Sequence, residues 1–247
     1  MQESFSEFRI RRGETAEGKA FEFASIAFRN LPFIEEFYFY ESIDSTNERA
    51  KSGKIFSIFF AEEQKKGRGR LDREWISKKG GLYFSINLPL YSLTKLTLIS
   101  ALSVAEAFEN ARLKWPNDVL LFGKKFCGVL GETIGEKAII GIGINVENDV
   151  REVSFACNLS SFYPVSREEA FERVTRNFAI NYIDLLAGKW EELFARYVEL
   201  CETVGRKVRV ITPTGEIEGI AELGKDGAIV VDGKKIYSGD CVHIRTI

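Results

Sequence analysis

A chain of 247 residues that is 45% hydrophobic and carries 20 phenylalanines can fill one large core and still leave a small appendage. Its net charge of −2 excludes a molecule that grips nucleic acid by bulk electrostatics. No apolar run of about 18 residues is present to span a membrane, and the N-terminus lacks the apolar core of a signal peptide, so the cytoplasm is the expected location. The four cysteines, Cys127, Cys157, Cys201 and Cys241, are widely spaced, which argues against a zinc knuckle or a dense disulfide framework. A single histidine, His243, leaves Ser/His/Asp triads, Cys/His pairs and multi-histidine metal sites without their parts. Chemistry here falls to lysine, arginine, carboxylates and backbone.

Residues 1 to 32 are set apart as an extension. Arg9, Arg11, Arg12 and Gly13 predict a mobile basic arm, and Phe21 to Phe28 is too mixed to assign. The segment is short for a winged helix-turn-helix, which needs roughly 60 residues. The aromatic run Phe33 to Tyr40 predicts a strand, and Asp44-Ser45-Thr46-Asn47 opens a short helix. Those four residues serve equally as plain caps or as a polar ligand site at a helix start.

Ile55 to Ala61 predicts a buried strand. The character then flips to a Gly/Arg loop that ends on Trp75. Gly67 and Gly69 allow close approach of backbone to a ligand. If the loop is extended, Arg68 and Arg70 point the same way, and guanidinium forks with an indole suit phosphates and a planar base. Solvated loops seldom require Gly-Arg-Gly-Arg, so the functional reading is favoured. Its glycines and charges also suit a lid that closes over a reactive intermediate.

Gly80-Gly81 precedes a strand in which Leu82, Phe84, Ile86 and Leu88 alternate with Tyr83, Ser85 and Asn87. Thr94 to Glu109 has the spacing of a packing helix. Lys114-Trp115-Pro116-Asn117-Asp118 then lies between two apolar runs. Pro116 breaks the strand, so a cation, an amide and a carboxylate sit on a stiff turn. They are either turn formers or a reactive group. Strands over 126–133 and 137–146 follow, the second with Gly141, Gly143 and Asn145 on one face, a pattern that marks close approach. Two helices, 166–186 and 189–203, precede short strands and hairpin turns from Gly205, which predict a small β-barrel of SH3-like size.

The motifs in this order resemble those of the biotin–protein ligases, over roughly residues 36 to 247. They are Asp-Ser-Thr-Asn (44–47), Glu-Gln (63–64), Gly-Arg-Gly-Arg-x-x-Arg-x-Trp (67–75), Gly-Gly-Leu-Tyr-Phe-Ser (80–85), Lys-Trp-Pro-Asn-Asp (114–118), Lys-x-x-Gly-Val-Leu-x-Glu (125–132) and Gly-Ile-Gly-Ile-Asn-Val (141–146). Asp72 departs from the family, which usually has glycine there. The resemblance implies an α+β fold, a mixed central sheet flanked by helices of the class II aminoacyl-tRNA synthetase-like type. It divides the chain into the extension (1–32), a catalytic domain (33–203) and an SH3-like domain (204–247).

It further implies adenylation of biotin by ATP with Mg²⁺, then transfer to a lysine of a biotin carboxyl carrier protein, without a tightly bound organic cofactor. Ser45, Thr46, Asn47, Gln64, Arg68, Gly69, Arg70, Lys125 and Gly128 would bind biotin. Arg73, Trp75, Lys114, Asn117 and Asn145 would meet the nucleotide. Lys114, Arg70 and Asp118 would be catalytic, with Asp118 holding Mg²⁺ or orienting Lys114. By family analogy the chain is a homodimer. With about 35 residues before the first catalytic strand, it is expected to be the monofunctional type, without sequence-specific DNA binding. Lipoate or octanoate ligases of the same general fold rank lower, because their Arg/Gly and His-Asp signatures are missing. A catalytically dead biotin binder is disfavoured by the joint presence of Lys114, Asp118 and Arg70.

Overall fold

The alternation through Leu82–Leu88 sets the architecture, because it gives a central strand one apolar and one polar face. A computed structural model describes residues 7–14, 18–71 and 73–244. Eight strands build the main sheet: β1 (Glu7–Arg11), β2 (Glu36–Tyr40), β3 (Ser57–Ala61), β4 (Leu82–Pro89), β5 (Ala111–Lys114), β6 (Asp118–Leu121), β7 (Lys124–Ile134) and β8 (Lys137–Ile144). Their order is β1-β2-β3-β4-β8-β7-β6-β5. Only β2 and β3 run parallel; the other ladders are antiparallel, so the sheet is mixed as expected.

Helices α1 (Lys19–Asn30), α3 (Leu93–Ala105), α4 (Arg167–Leu186) and α5 (Trp190–Leu200) cover the apolar face, and the five-residue α2 (Thr46–Ala50) lies against the polar one. Phenylalanines supply much of the seam. Phe23 of α1 stacks on Phe60 of β3 at 4.3 Å, and Phe171 of α4 meets Phe84 edge-on at 5.0 Å. Such offset and edge-on pairs add to what their buried area contributes.

The basic arm is a correction. Arg9 and Arg11 lie in β1, an edge strand paired antiparallel with β2, and α1 packs into the core through Ala20, Phe23, Ala24, Ile26 and Ala27. Three of those five inward residues are alanines, which bury well but give a weak hydrophobic signal. Arg12, though exposed, is held in place by donating to the carbonyls of Phe28, Leu31 and Ile34 at 2.9 Å each. The part of the expected extension that is described therefore belongs to the sheet and its covering layer.

Beyond α5, β9 (Lys207–Thr212), β10 (Gly215–Leu223), β11 (Ile229–Val231), β12 (Lys234–Ile236) and β13 (Asp240–His243) form a five-stranded antiparallel sheet in the order β12-β11-β10-β9-β13. Among the described residues no ladder joins β12 to β13, so the sheet is open where a closed barrel was expected. Its Val208, Val210, Ile229 and Val231 share one hydrophobic cluster with the main sheet. Indole N–H groups tie the two together: Trp115 donates to Gly227 O at 3.0 Å and Trp190 to Lys225 O at 2.7 Å.

A buried ion pair fixes the end of β3 where the Gly/Arg loop departs. Arg167, at the start of α4, makes a fork to both oxygens of Glu62 at 2.8 and 2.9 Å, and its Nε donates to Gly81 O at 3.0 Å. Both side chains are nearly fully buried. Removing one partner leaves the other charge stranded in a medium that solvates it poorly. Arg167→Met should therefore cost roughly 3–5 kcal/mol. Denaturant titration would read this as a lower midpoint with unchanged slope, and an unshifted midpoint would contradict it.

Candidate active site

On the polar face of the sheet, Ser85 stands opposite Gly141, Tyr83 opposite Gly143, and Gly143 opposite Gly128 of β7. A Cβ at Gly141 would fall 2.0 Å from Asn47 Oδ1, and one at Gly143 would fall 2.5 Å from Trp75 Nε1. The close approach expected from these glycines is thus made by the chain's own Asn47 and Trp75. The Trp75 ring also overlies Gly128, where a Cβ would stand 3.1 Å from the indole. Lys125 Nζ lies 5.1 Å from its centroid. The indole N–H is buried without a partner, a state that native proteins seldom tolerate unless something else fills it.

The short helix α2 delivers the next group. Ser45 is its N-cap, accepting from the Glu48 N–H at 3.4 Å. Gln64 Oε1 accepts from the Thr46 N–H at 2.8 Å and the Thr46 hydroxyl at 3.1 Å, while Gln64 Nε2 donates to Ser77 Oγ at 2.8 Å. Ser85 Oγ lies 2.8 Å from Thr46 Oγ1 and 2.6 Å from Asn47 Oδ1. Asn47 Nδ2 donates to Glu132 Oε2 at 2.9 Å and to Leu130 O at 3.3 Å. At the far end of α2 the buried Lys137 ammonium donates to the carbonyls of Ala50, Lys51 and Gly53. Burial pushes that ammonium below its ordinary value. The capping expected at 44–47 is present at Ser45, and Thr46 and Asn47 turn onto the polar face of the sheet.

The Gly/Arg loop folds back on itself, with Trp75 N–H on Gly67 O at 2.9 Å and Gly69 N–H on Arg73 O at 2.7 Å. Gly67 is required: a Cβ there would strike the Trp75 carbonyl at 2.2 Å. Arg68 bridges antiparallel to Glu74, so the loop is folded back on itself, and Arg68 and Arg70 have different partners, where an extended loop would have aimed them together. Arg68 Nη1 meets Glu48 and Glu132 at 3.1 Å each. Arg70 donates to Asn117 Oδ1 at 3.3 Å and to Ser238 Oγ at 2.8 Å. Burial lowers the Arg70 pKa, against the pull of Asp118 and Asp240. Arg73 pairs with Asp240 at the start of β13. Asp72 lies outside the described residues.

The Trp115–Pro116 peptide is cis. Lys114 and Asp118 face one another across the β5–β6 ladder, yet the Asp118 carboxylate pairs with Lys125 at 2.6 Å. The expectation that Asp118 orients Lys114 is corrected accordingly. Among the described residues Lys114 has no ion pair; its charge is felt instead by Cys241 and His243 of β13. Asn117 spends its amide on Val129 O at 2.8 Å and on Arg70. Asn145 is buried and accepts from Asn148 Nδ2 at 3.0 Å. Burial pushes the Cys127 thiol up, in keeping with a packing residue.

No group of three or more His, Cys, Asp or Glu side chains suited to a metal occurs among the described residues. A surface hollow of about 710 Å³, bordered by Lys124, Asp149, Arg151 and Phe162, contains none of the remaining site residues. The arrangement that can do chemistry is the polar face, neutral at the Thr46–Gln64–Ser85 end and cationic around Lys114, Lys125 and Arg70. Sequence reasoning passed over Ser85, Glu132, Lys137, Ser238 and Asp240. Ser85 and Glu132 stood inside quoted motifs, and Ser85 was on the polar phase of its strand. Ser238 and Asp240 gave no local signal, being 168 and 167 residues from the arginines they meet.

Residues 39–149 match the model of the biotin/lipoate A/B protein ligase family. The bifunctional ligase/repressor BirA of Bacillus spizizenii is 30% identical over 222 residues, covering 78% of this chain and 67% of that protein. The biotin–[acetyl-CoA-carboxylase] ligase of Mycobacterium tuberculosis is 29% identical over 227 residues, covering 80% and 83%. Among solved structures, the biotin protein ligase of Aquifex aeolicus in complex with biotin and ATP superposes with a TM-score of 0.76 at 32% identity, covering 85% of this chain and 99% of that one. The chain belongs to the biotin/lipoate A/B protein ligase family and, within it, to the biotin–protein ligases.

The lone histidine braces the 114–118 turn through Thr203. Thr203 Oγ1 accepts from the Trp115 N–H at 3.0 Å and lies 3.0 Å from His243 Nε2. Burial, then the charges of Lys114 and Arg206, push His243 from 6.5 down to about 4. Between those values the unfolded chain gains a proton that the folded one refuses. The contribution of His243 is whole above pH 6.5 and declines as pH falls toward about 4. His243→Gln should flatten that part of the stability–pH curve, measured by urea titration at stepped pH. Parallel curves for the two proteins would contradict it.

Proposed function

We propose that this ligase joins the carboxylate of biotin to the α-phosphorus of ATP, releasing pyrophosphate, and passes the biotinyl group to a lysine of a biotin carboxyl carrier domain. The amine attacks the mixed anhydride, an amide forms, and AMP leaves with the bonding electrons. Family membership narrows the chemistry. The observation that carries the assignment is the cationic end of the polar face, where Lys114 has no anionic partner among the described residues, Lys125 reaches its cross-strand neighbour Asp118, and Arg70 donates to Asn117 of the same turn. Bringing a carboxylate to a polyphosphate demands charge neutralisation and positioning, without a protein nucleophile.

In this reading the amide-and-hydroxyl end around Ser45, Thr46, Asn47 and Gln64 receives the ureido ring. Lys125, with Arg68 and Gly69 of the loop, serves the biotin carboxylate. Arg73, Trp75, Asn117 and Asn145 serve the nucleotide. Lys114 neutralises charge at the carboxylate–phosphate junction. Mg²⁺ enters with ATP: Asp118 can contribute one carboxylate, and Mg²⁺ is commonly held by one or two carboxylates together with substrate phosphates. Bound there, the ion would neutralise phosphate charge.

If Lys114 supplies transition-state charge, Lys114→Ala should slow biotin-dependent ATP–pyrophosphate exchange by roughly 10²-fold. A variant that kept most of its exchange rate would remove Lys114 from that role.

A further inference from the structure

Glu132 has a place in this chain that neither the resemblance nor the family assigns. It closes the motif Lys-x-x-Gly-Val-Leu-x-Glu, and on β7 it shares the polar face with Gly128 and Leu130. Its carboxylate gathers two hydrogen-bond donors and a further cation. Asn47 Nδ2 lies at 2.9 Å, Arg68 Nη1 at 3.1 Å and Lys51 Nζ at 3.8 Å. The neighbouring Gly131 packs against α3, where a Cβ would fall 2.5 Å from Thr97 Oγ1, so β7 cannot easily shift beside it.

Two acceptors decide which way the buried Asn47 amide faces, the Leu130 carbonyl at 3.3 Å and, closer and charged, the Glu132 carboxylate at 2.9 Å. An ionised carboxylate only accepts, so it must meet the NH₂ end, and Asn47 Oδ1 is left facing Ser85. Ser85 has one proton. With a carbonyl oxygen 2.6 Å away, that proton goes to Asn47. The Thr46 hydroxyl cannot then receive a proton from Ser85. It donates, to Ser85 at 2.8 Å or to Gln64 Oε1 at 3.1 Å. Its oxygen keeps lone pairs free. The chain of hydrogen bonds runs toward a fixed negative charge, which polarises each member in turn.

We propose that Glu132 is a positioning residue that sets the direction of this chain, so that Thr46 presents an acceptor to an N–H of the bound substrate, while the same carboxylate anchors the loop through Arg68. This rests on the assignment of that end of the face to a ureido ring, whose N–H groups are the donors.

The test compares wild type with Glu132→Gln, which is nearly isosteric, and Glu132→Ala, each checked for its melting temperature. Biotin-dependent pyrophosphate exchange is measured with biotin and with an analogue methylated on the ureido nitrogens. Losing a charge-assisted hydrogen bond should raise the KM for biotin about tenfold or more. The KM for ATP should stay, and kcat should change by less than about twofold. The methylated analogue, which lacks the donor, should lose far less on substitution. In an Arg68→Gln background, Glu132→Gln should add less than it does alone, because the anchor is already gone. An unchanged KM for biotin in both variants, with or without a lower melting temperature, would overturn the proposal. Equal losses for biotin and the methylated analogue would also overturn it. Wild type inactive with biotin would instead sink the underlying assignment, and this inference with it.

Discussion

The structure depends on close approach at the middle of one sheet face. Ser85, Gly141 and Gly143 present little or no side chain there, and this lets Asn47 and Trp75 settle directly on the backbone. Any larger residue at Gly141 would collide with the Asn47 amide, and α2 would have to lift away. From that seating follows the buried hydrogen-bonded chain through Gln64, Thr46, Ser85, Asn47 and Glu132. It starts at Ser77, beside Trp75, and finishes on Arg68, so both ends of the Gly/Arg loop are tied to it. Fully satisfied buried networks specify one arrangement, and a half-satisfied one would be costly.

The charged end obeys a different rule. Asp118 already has Lys125, and Arg68 already has two carboxylates, so their charges are largely spoken for within the protein. Among the described residues Lys114 has no ion pair, and after burial its charge is the next influence on His243 and Cys241 across the sheet boundary. The five-stranded sheet thereby contributes to the site. It supplies Ser238 and Asp240 to the loop arginines and braces the 114–118 turn through His243 and Thr203. A neutral end and a cationic end on one polar face are what a ligand with a polar ring and a distal carboxylate requires.

Much of this was legible in the sequence, and for identifiable reasons. The alternation in 82–88 gave the two faces of β4, and the spacing of Gly141 and Gly143 gave the close contact. The contacting groups were not legible, because a glycine records that something comes near without saying what. Helix α1 escaped notice since alanines fill most of its buried side. The divergence of Arg68 and Arg70 depends on the antiparallel bridge of Arg68 with Glu74, which an Arg/Gly composition does not specify. The pairing of Asp118 with Lys125 over Lys114 is a tertiary choice. Lys114 is the cross-strand neighbour, but Lys125 reaches the carboxylate from β7. Barrel closure was inferred from hairpin turns, which fix neighbouring strands and leave the first-to-last contact open.

The central claim is that the polar face takes biotin and activates its carboxylate with ATP. Substrate-dependent ATP–pyrophosphate exchange, run on the full chain with biotin, lipoate and octanoate in parallel, tests it most directly. Exchange with biotin alone is the predicted result. Exchange with only lipoate or octanoate, or silence with all three, would contradict it.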